Sequence, residues 1–212
     1  LAANAAALYY AVANPLEGSS VRDVVLSIDP DQATGAPHCV FGHPDYIAPD
    51  GRPCDVADDR SPYLDDIRSL HASDDWLVMV DAGSQPTLLA VSLLASGSAD
   101  ALVMRIDLGA SPGEDPFCEP GPVALQLSGD TGTLFMVDQG GAGTCGDGGV
   151  KLVRLPVYPG SGGVGAMDTL AKGLQGAAAL AVDSHGNVVM AIDDGSGEVQ
   201  DWVVFPLALS GE

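Results

Sequence analysis

The stretch 175–194, QGAAALAVDSHGNVVMAIDD, decides the fold of this chain. Apolar residues predict one short strand at residues 178–182 and a second at residues 188–193, and the polar turn DSHGN lies between them. Gly186 and Asn187 in that turn tolerate the positive φ that a hairpin requires. The stretch therefore predicts a β-hairpin whose second strand ends in an acid.

Weaker copies of this unit occur upstream. Residues 122–138 read PVALQLSGDTGTLFMVD, residues 67–81 read IRSLHASDDWLVMVD, and residues 8–14, LYYAVAN, form a partial copy. Repetition of one supersecondary unit along a chain indicates an array, a solenoid or a propeller.

Short apolar segments bounded by Gly, Ser, Asp or Pro predict the remaining strands. Strands are predicted at residues 8–14, 21–28, 67–72, 76–80, 87–94, 101–108, 123–127, 133–137, 151–157, 167–171, 178–182, 188–192 and 202–207. Four strands in each repeat are typical of propeller blades. The predicted fold is an all-β propeller of four-stranded antiparallel blades, with about four blades or as a fragment of a larger six-bladed ring.

One domain is predicted over residues 1–212. Two blades are complete, the C-terminal blade has three strands and the N-terminal blade is incomplete. The alanine-rich residues 1–7 form either a short helix or the missing strand. Residues 29–64 carry several prolines and two cysteines, and predict a disulfide-stapled insertion with little regular structure.

Three motifs resemble known propeller families. ALAVDSHGNVVMAIDD (179–194) resembles the NHL repeat, PVALQLSGDTGTLFMVD (122–138) resembles the regucalcin and gluconolactonase group, and DDWLVMVDAGSQPTLLAVSL (74–93) resembles yellow and royal-jelly proteins. The resemblance covers about two thirds of the chain and implies blades of a six-bladed superfamily. The chain differs from those families because it has too few strands for six blades.

The net charge limits the kinds of partner that we expect, and the cysteines indicate the compartment. The formal net charge of −21 argues against binding to nucleic acid or to an anionic membrane surface and favours a cation or a basic partner. The alternative is that the charge serves only solubility. No apolar run reaches the roughly 20 residues of a membrane helix, so no membrane insertion is expected. The four cysteines lack CxxC spacing and favour disulfides in a secreted or other oxidising setting. Three pairings are possible, and we predict Cys39–Cys54 and Cys118–Cys145.

A candidate metal site comes from the ends of the second strands. Asp81, Asp138 and Asp193 each end such a strand, and Asn14 has the matching place in the first repeat. Blade symmetry would put these oxygens on one face, where they suit Ca²⁺. The resemblance to regucalcin likewise implies a metal in the central channel. The alternative is that each aspartate accepts hydrogen bonds from its own turn.

Catalytic motifs are scarce. Two G-x-G-x-x-G matches, at residues 141–146 and 160–165, lie between strands rather than before a helix, and no serine lies in a G-x-S-x-G elbow. Trp76 and Trp202 lie inside strands, where aromatic side chains usually pack between blades. We therefore favour a secreted or luminal, non-enzymatic interaction or assembly module without a cofactor. The alternative is a Ca²⁺-dependent hydrolase of lactones or esters, in which the metal polarises the carbonyl.

Overall fold

The chain is built from β-strands. The computed structural model describes residues 1–13, 23–31, 35–43, 45–54, 64, 66–82, 87–94, 99–107, 120–129, 131–138, 150–161, 163–183, 185–193, 196 and 199–206. Within these residues the regular structure is β-strand, apart from one 3-10 turn at Pro159–Ser161. The predicted all-β class is confirmed. The chain divides into two compact units, Leu1–Asp107 and Leu108–Glu212, and the prediction of a single domain stays a prediction.

The first unit holds two antiparallel sheets, each with four strands. The first sheet has the order β1-β2-β3-β4, with β1 at Ala2–Ala3, β2 at Leu8–Ala13, β3 at Asp23–Ile28 and β4 at His38–Phe41. The second sheet has the order β5-β6-β7-β8, with β5 at Ile67–Ala72, β6 at Trp76–Asp81, β7 at Thr87–Leu93 and β8 at Ala99–Asp107. Strands adjacent in sequence are paired in space, so both sheets are meanders.

The second unit holds sheets of five and three strands. The third sheet contains β9 at Pro120–Ser128, β10 at Thr131–Asp138, β11 at Lys151–Tyr158, β12 at Gly163–Val164 and β13 at Asp168–Lys172. Both β12 and β13 pair with β11 on the side away from β10. The fourth sheet has the order β14-β15-β16, with β14 at Ala177–Val182, β15 at Val188–Asp193 and β16 at Val199–Phe205.

Two parts of the first sheet refine the sequence predictions. Of the two alternatives for residues 1–7, the structure contains a strand, because Ala2–Ala3 pair with β2 as β1. Residues 29–64, predicted to hold little regular structure, contribute β4, which pairs with β3. The first sheet therefore has four strands, and its fourth strand comes from the predicted insertion.

A register shift recurs near the strand-end acids in three of the four sheets. It lies between Ile67 and Ser69 in the β5–β6 pair, between Met136 and Asp138 in the β9–β10 pair, and between Ala177 and Ala179 in the β14–β15 pair. Each shift leaves an extra residue on the first strand of its pair, which is the geometry of a β-bulge. The same irregularity at the same place indicates that the sheets repeat one structural unit.

The turns from the first to the second strand also repeat. In three sheets, the side chain of the first turn residue accepts a hydrogen bond from the backbone N–H of the residue that closes the turn. The pairs are Asn4 with Ala7 at 2.9 Å, Ser73 with Trp76 at 3.1 Å, and Asp183 with Asn187 at 2.8 Å. These short polar side chains therefore close the hairpins that the sequence repeats predict.

Each unit has its own apolar core. In the first unit, Tyr9, Val25 and Phe41 of the first sheet pack with Leu77 and Met79 of the second sheet. The other face of the first sheet packs against the stapled segment, through the cluster Val24, Leu26, Ala48 and Cys54 with Tyr10, Val12, Cys39 and Tyr46. In the second unit, the third and fourth sheets share the cluster Phe135, Val137, Leu152, Ala177, Val188 and Met190.

Candidate functional site

The strand-end acids predicted as metal ligands lie in different units. Asp81 ends β6 in the first unit, whereas Asp138 and Asp193 end β10 and β15 in the second. Asn14 lies outside the described residues. Asp81 and Asp138 are buried, with 5% and 1% of their surface exposed, and Asp193 is half-buried. Buried carboxylates require hydrogen bonds or a counter-charge, so the surroundings of each acid decide what it can do.

Asp81 acts in the first unit as an acceptor for the start of β5. Its Oδ1 accepts the backbone N–H of Asp66 at 2.8 Å, and the N–H of Ala82 donates to the Asp66 carbonyl at 2.7 Å. Asp23, at the start of β3, accepts the N–H of Ile67 through Oδ2 at 2.8 Å. The carboxylates of Asp23 and Asp81, from the first and second sheets, therefore both hold the backbone where β5 begins.

This hydrogen bond reaches outside the turn that follows Asp81, and the own-turn alternative stays a prediction. The amide bonded to the Asp81 carboxylate belongs to Asp66, which precedes the neighbouring strand rather than following β6. A buried carboxylate that accepts a backbone amide has part of its hydrogen-bonding capacity satisfied within the protein. The geometry accounts for a buried Asp81 by a structural role.

Asp138 lies beside a cation of the same sheet. Lys151 is the register partner of Asp138 across β10 and β11, and its Nζ lies 3.6 Å from Asp138 Oδ2. Both side chains are nearly inaccessible, with 9% of Lys151 and 1% of Asp138 exposed. An ammonium group at this distance repels any cation that approaches the same carboxylate. The ion pair therefore works against Ca²⁺ binding at Asp138.

The backbone of Asp193 is hydrogen-bonded to Gly176, which lies just before β14. Its N–H donates to the Gly176 carbonyl at 2.7 Å, and Gly176 has a φ of 78°. A Cβ on Gly176 would collide with the Asp193 carbonyl oxygen. The strand end is therefore closed by a backbone contact that only glycine allows.

The described part of the chain contains no group of three or more His, Cys, Asp or Glu residues that could hold a metal ion. The structure thus places Asp81 and Asp138 beside intramolecular partners, and the predicted Ca²⁺ site stays a prediction. The Asp23 acceptor was missed by the sequence analysis. No local pattern around Asp23 signals a bond to a residue in another sheet.

The stapled segment contains one of the predicted disulfides. Cys39 on β4 is bonded to Cys54, with 5.0 Å between their Cα atoms. Cys118 and Cys145 lie outside the described residues, so their pairing stays a prediction. His38 Nε2 lies 2.8 Å from the Ser27 hydroxyl, and that hydroxyl is fully buried. Since Ser27 has no access to solvent, the pair is unsuited to attack an external substrate.

The hairpin turn of the fourth sheet holds one carboxylate with a perturbed pKa. The side-chain amide of Asn187 donates to Asp183 Oδ2 at 2.8 Å and, together with the backbone N–H groups of Asn187 and His185, lowers the pKa of Asp183 below its ordinary value. Hydrogen bonds to a charged carboxylate favour that form. This network is a structural use of the DSHGN motif.

An exposed apolar surface lies on the fourth sheet, on the face away from the third sheet. Trp202 and Val204 on β16 have 68% and 54% of their surface exposed, although Trp76 is buried at 7%. Trp202 is thus exposed among the described residues, whereas the sequence pattern predicts packing between blades. We call this face of the sheet the outer face; register pairing places Ala179, Ala181, Val189, Ala191, Trp202 and Val204 on it, of which Ala191 is buried at 1% and Val189 is half-buried.

Comparison with known proteins gives no family assignment. No family model matches the chain, and no curated protein matches it. The similarity to NHL-type propellers therefore rests on the quoted motifs and remains a prediction. No helix long and apolar enough for a membrane span occurs among the described residues.

Proposed function

We propose that this chain is a secreted or luminal module of propeller-type blades whose function is protein interaction or assembly. The observation that carries the proposal is the use of the buried strand-end acids. Asp81 accepts a backbone amide and Asp138 lies beside Lys151, so both carboxylates have partners within the protein. Sheets whose buried acids bind partners within the protein suit a scaffold that presents its surface to another protein.

The repeated construction of the sheets supports the blade architecture. The bulge beside the strand-end acid and the side-chain-closed turn both recur. Sheets of this kind are the units from which propellers are assembled. The disulfide between Cys39 and Cys54 supports an oxidising compartment.

The competing hypothesis is the Ca²⁺-dependent hydrolase of lactones or esters. It requires that a cation polarise a carbonyl beside the strand-end acids. Lys151 already supplies positive charge at Asp138, and this weakens the case for a divalent ion there. We therefore place the interaction module first.

Calorimetric Ca²⁺ titration of chelator-stripped protein separates the two functions. Wild type is compared with Asp138→Asn and, as a matched control, with Asp168→Asn, whose exposed carboxylate pairs with Arg154 at 2.6 Å. We expect no saturable heat from any of the three proteins. Micromolar Ca²⁺ binding lost only in Asp138→Asn, together with Ca²⁺-dependent hydrolysis of a lactone and ester panel, would overturn the proposal.

A further inference from the structure

The fourth sheet is apolar over most of both faces, and its polar residues Asp193, Gln200 and Asp201 lie where β15 ends and β16 begins. Toward the third sheet it presents Leu180, Val182, Met190, Val203 and Phe205, which belong to the core of the second unit. An antiparallel sheet with one solvated face normally alternates apolar and polar residues along its strands. The outer face breaks this rule because all six of its residues are apolar.

We propose that the outer face binds a basic partner protein, which lays an apolar strand across it and places lysine or arginine side chains at its margins. This inference rests on the proposed interaction function and assigns its surface and the chemistry of its partner. Two features of the outer face identify this partner protein. They are the apolar side chains that it must cover and the charge of the surrounding residues.

The shape of the outer face suits an extended segment. Register pairing aligns its residues in two rows across the strands, Ala179–Ala191–Trp202 and Ala181–Val189–Val204. On β14 and β15 these residues are alanine and valine, and on β16 they are Trp202 and Val204. Ala191, the register partner of Trp202, is already buried, so the accessible part of this face is the indole and Val204 on β16 and the two alanines on β14. An apolar side chain can rest against the exposed ring.

The first sheet shows how this protein treats a comparable face. The face of Val24 and Leu26 is covered by Tyr46, Ala48 and Cys54 of the stapled segment. Val24 and Leu26 are 0% and 2% exposed as a result, whereas Trp202 remains 68% exposed. An apolar sheet face of this kind is stabilised by a cover, and large exposed apolar patches mark interaction sites.

Charge identifies the kind of partner. Lys172 is the last lysine or arginine of the chain, and the residues after it carry six acids, Asp183, Asp193, Asp194, Glu198, Asp201 and Glu212. Asp201 is exposed on β16 next to Trp202, on the face opposite the indole because its register partner is Ile192. A second copy of the chain would bring another −21 charge toward this acidic region, which Coulomb repulsion disfavours. A basic partner is attracted to the same region and is therefore the favoured occupant.

The test uses a defined probe, a short fluorescent peptide of alternating valine and lysine, with binding followed by anisotropy. One control peptide replaces lysine by glutamate, and a second replaces valine by serine. We expect saturable binding of the first peptide alone. Its affinity falls as salt is raised, because charges around the apolar contact are screened.

Variants locate the bound peptide. Trp202→Thr combined with Val204→Thr removes the exposed apolar side chains and keeps residues that favour strands. We expect it to weaken peptide binding at least about tenfold, which is the effect of losing an aromatic anchor. Val164→Thr is the matched control, because Val164 is an exposed valine on β12 of the third sheet. It should bind like wild type, and circular dichroism checks that all variants fold.

Three outcomes would overturn the inference. The first is binding that the double variant leaves intact, which would move the site elsewhere while the interaction function stands. The second is salt-promoted self-association of wild type, removed by the double variant, which would make a second copy the occupant. The third is no binding of the peptide up to about 1 mM, the range of very weak contacts. If chemical crosslinking in the native fluid also finds no stoichiometric partner, the interaction function fails with it.

Discussion

Single carboxylates hold this fold at its strand ends and turns. Asp23 and Asp81 accept amides at the entry to β5, and Asp183 accepts two amides and a side-chain donor within its own turn. For the buried pair Asp23 and Asp81, a donor or acceptor left without its partner costs about 1–3 kcal/mol. Acids at these positions are therefore explained by backbone hydrogen bonding before any ligand is considered.

Asp183→Asn should destabilise the protein in a way that depends on pH. The folded-state pKa of Asp183 lies below its ordinary value because Asn187 and nearby amides bond the charged form. The unfolded chain therefore takes up a proton at a higher pH than the folded chain does. The stabilising contribution is complete above the unfolded pKa, about 3.9, and is lost as pH falls through the lowered folded value.

The measurement is the midpoint of urea denaturation for wild type and Asp183→Asn from neutral pH to below pH 4. We expect wild type to have the higher midpoint near neutrality and the difference to shrink in acid. Asp50→Asn is the matched control, because Asp50 also accepts a backbone N–H two residues ahead, from Arg52 at 2.9 Å, and lies outside the hairpins. A difference between wild type and Asp183→Asn that stays constant with pH would contradict the assignment.

At the scale of elements, the strands of the hairpins could be predicted from the sequence, but the hydrogen bonds that join one sheet to another could not. The predicted strand at residues 67–72 coincides with β5, and the prediction at residues 188–192 differs from β15 only by Asp193. These strands succeed because their apolar runs lie between strong turn residues. β4 and β12 were missed, since the short HCVF lies among prolines and β12 has only Gly and Val. Such strands depend on a partner strand that local sequence does not reveal.

The outer face could have been recognised in part. Apart from Asp193, Gln200 and Asp201, the residues of β14–β16 are apolar in both alternating sets, a pattern that indicates strands buried on both faces. Only the structure distinguishes the covered face from the exposed one, because exposure depends on what packs against the sheet. The bond between Asp23 and Ile67 is of the same kind, since it joins residues separated by 44 positions.

Removing the Cys39–Cys54 disulfide should loosen the cover of the first sheet. Cys54 is fully buried against Val24, and a Cβ on Gly42 would lie 2.9 Å from Cys54 Sγ. The bond spans a sequence separation of 15, for which loop closure gives about 3 kcal/mol. Cys39→Ala combined with Cys54→Ala should therefore lower the free energy of unfolding by about that amount, measured by urea denaturation.

The same double variant tests the second predicted disulfide. Its remaining cysteines are Cys118 and Cys145, so a reductant lowers its stability further only if these two are bonded. We expect that further loss. Stability of the double variant equal to that of wild type, without reductant, would contradict the role of the stapled segment as a cover.

At the scale of the whole molecule, the most prominent physical property is the large net negative charge. The chain carries 29 acids against 8 lysines and arginines, and each compact unit must fold against the resulting repulsion. Repulsion between exposed charges weakens as ionic strength rises, because the Debye length falls from about 30 Å at 0.01 M to about 3 Å at 1 M. Salt should therefore stabilise the protein without any specific site.

That expectation gives the last test, in which the thermal midpoint is followed in NaCl, MgCl₂ and CaCl₂ at matched ionic strength. Screening alone predicts that the midpoint rises with NaCl and that Mg²⁺ and Ca²⁺ act alike. A specific site adds RT ln(1 + [L]/Kd), about 2.7 kcal/mol at a hundredfold excess over Kd, and would appear as a rise with Ca²⁺ beyond that with Mg²⁺. We expect no such excess, because Lys151 already neutralises Asp138 and the Asp66 amide occupies Asp81. A Ca²⁺-specific rise lost in Asp81→Asn would show that the acids bind metal and would return the hydrolase to first place.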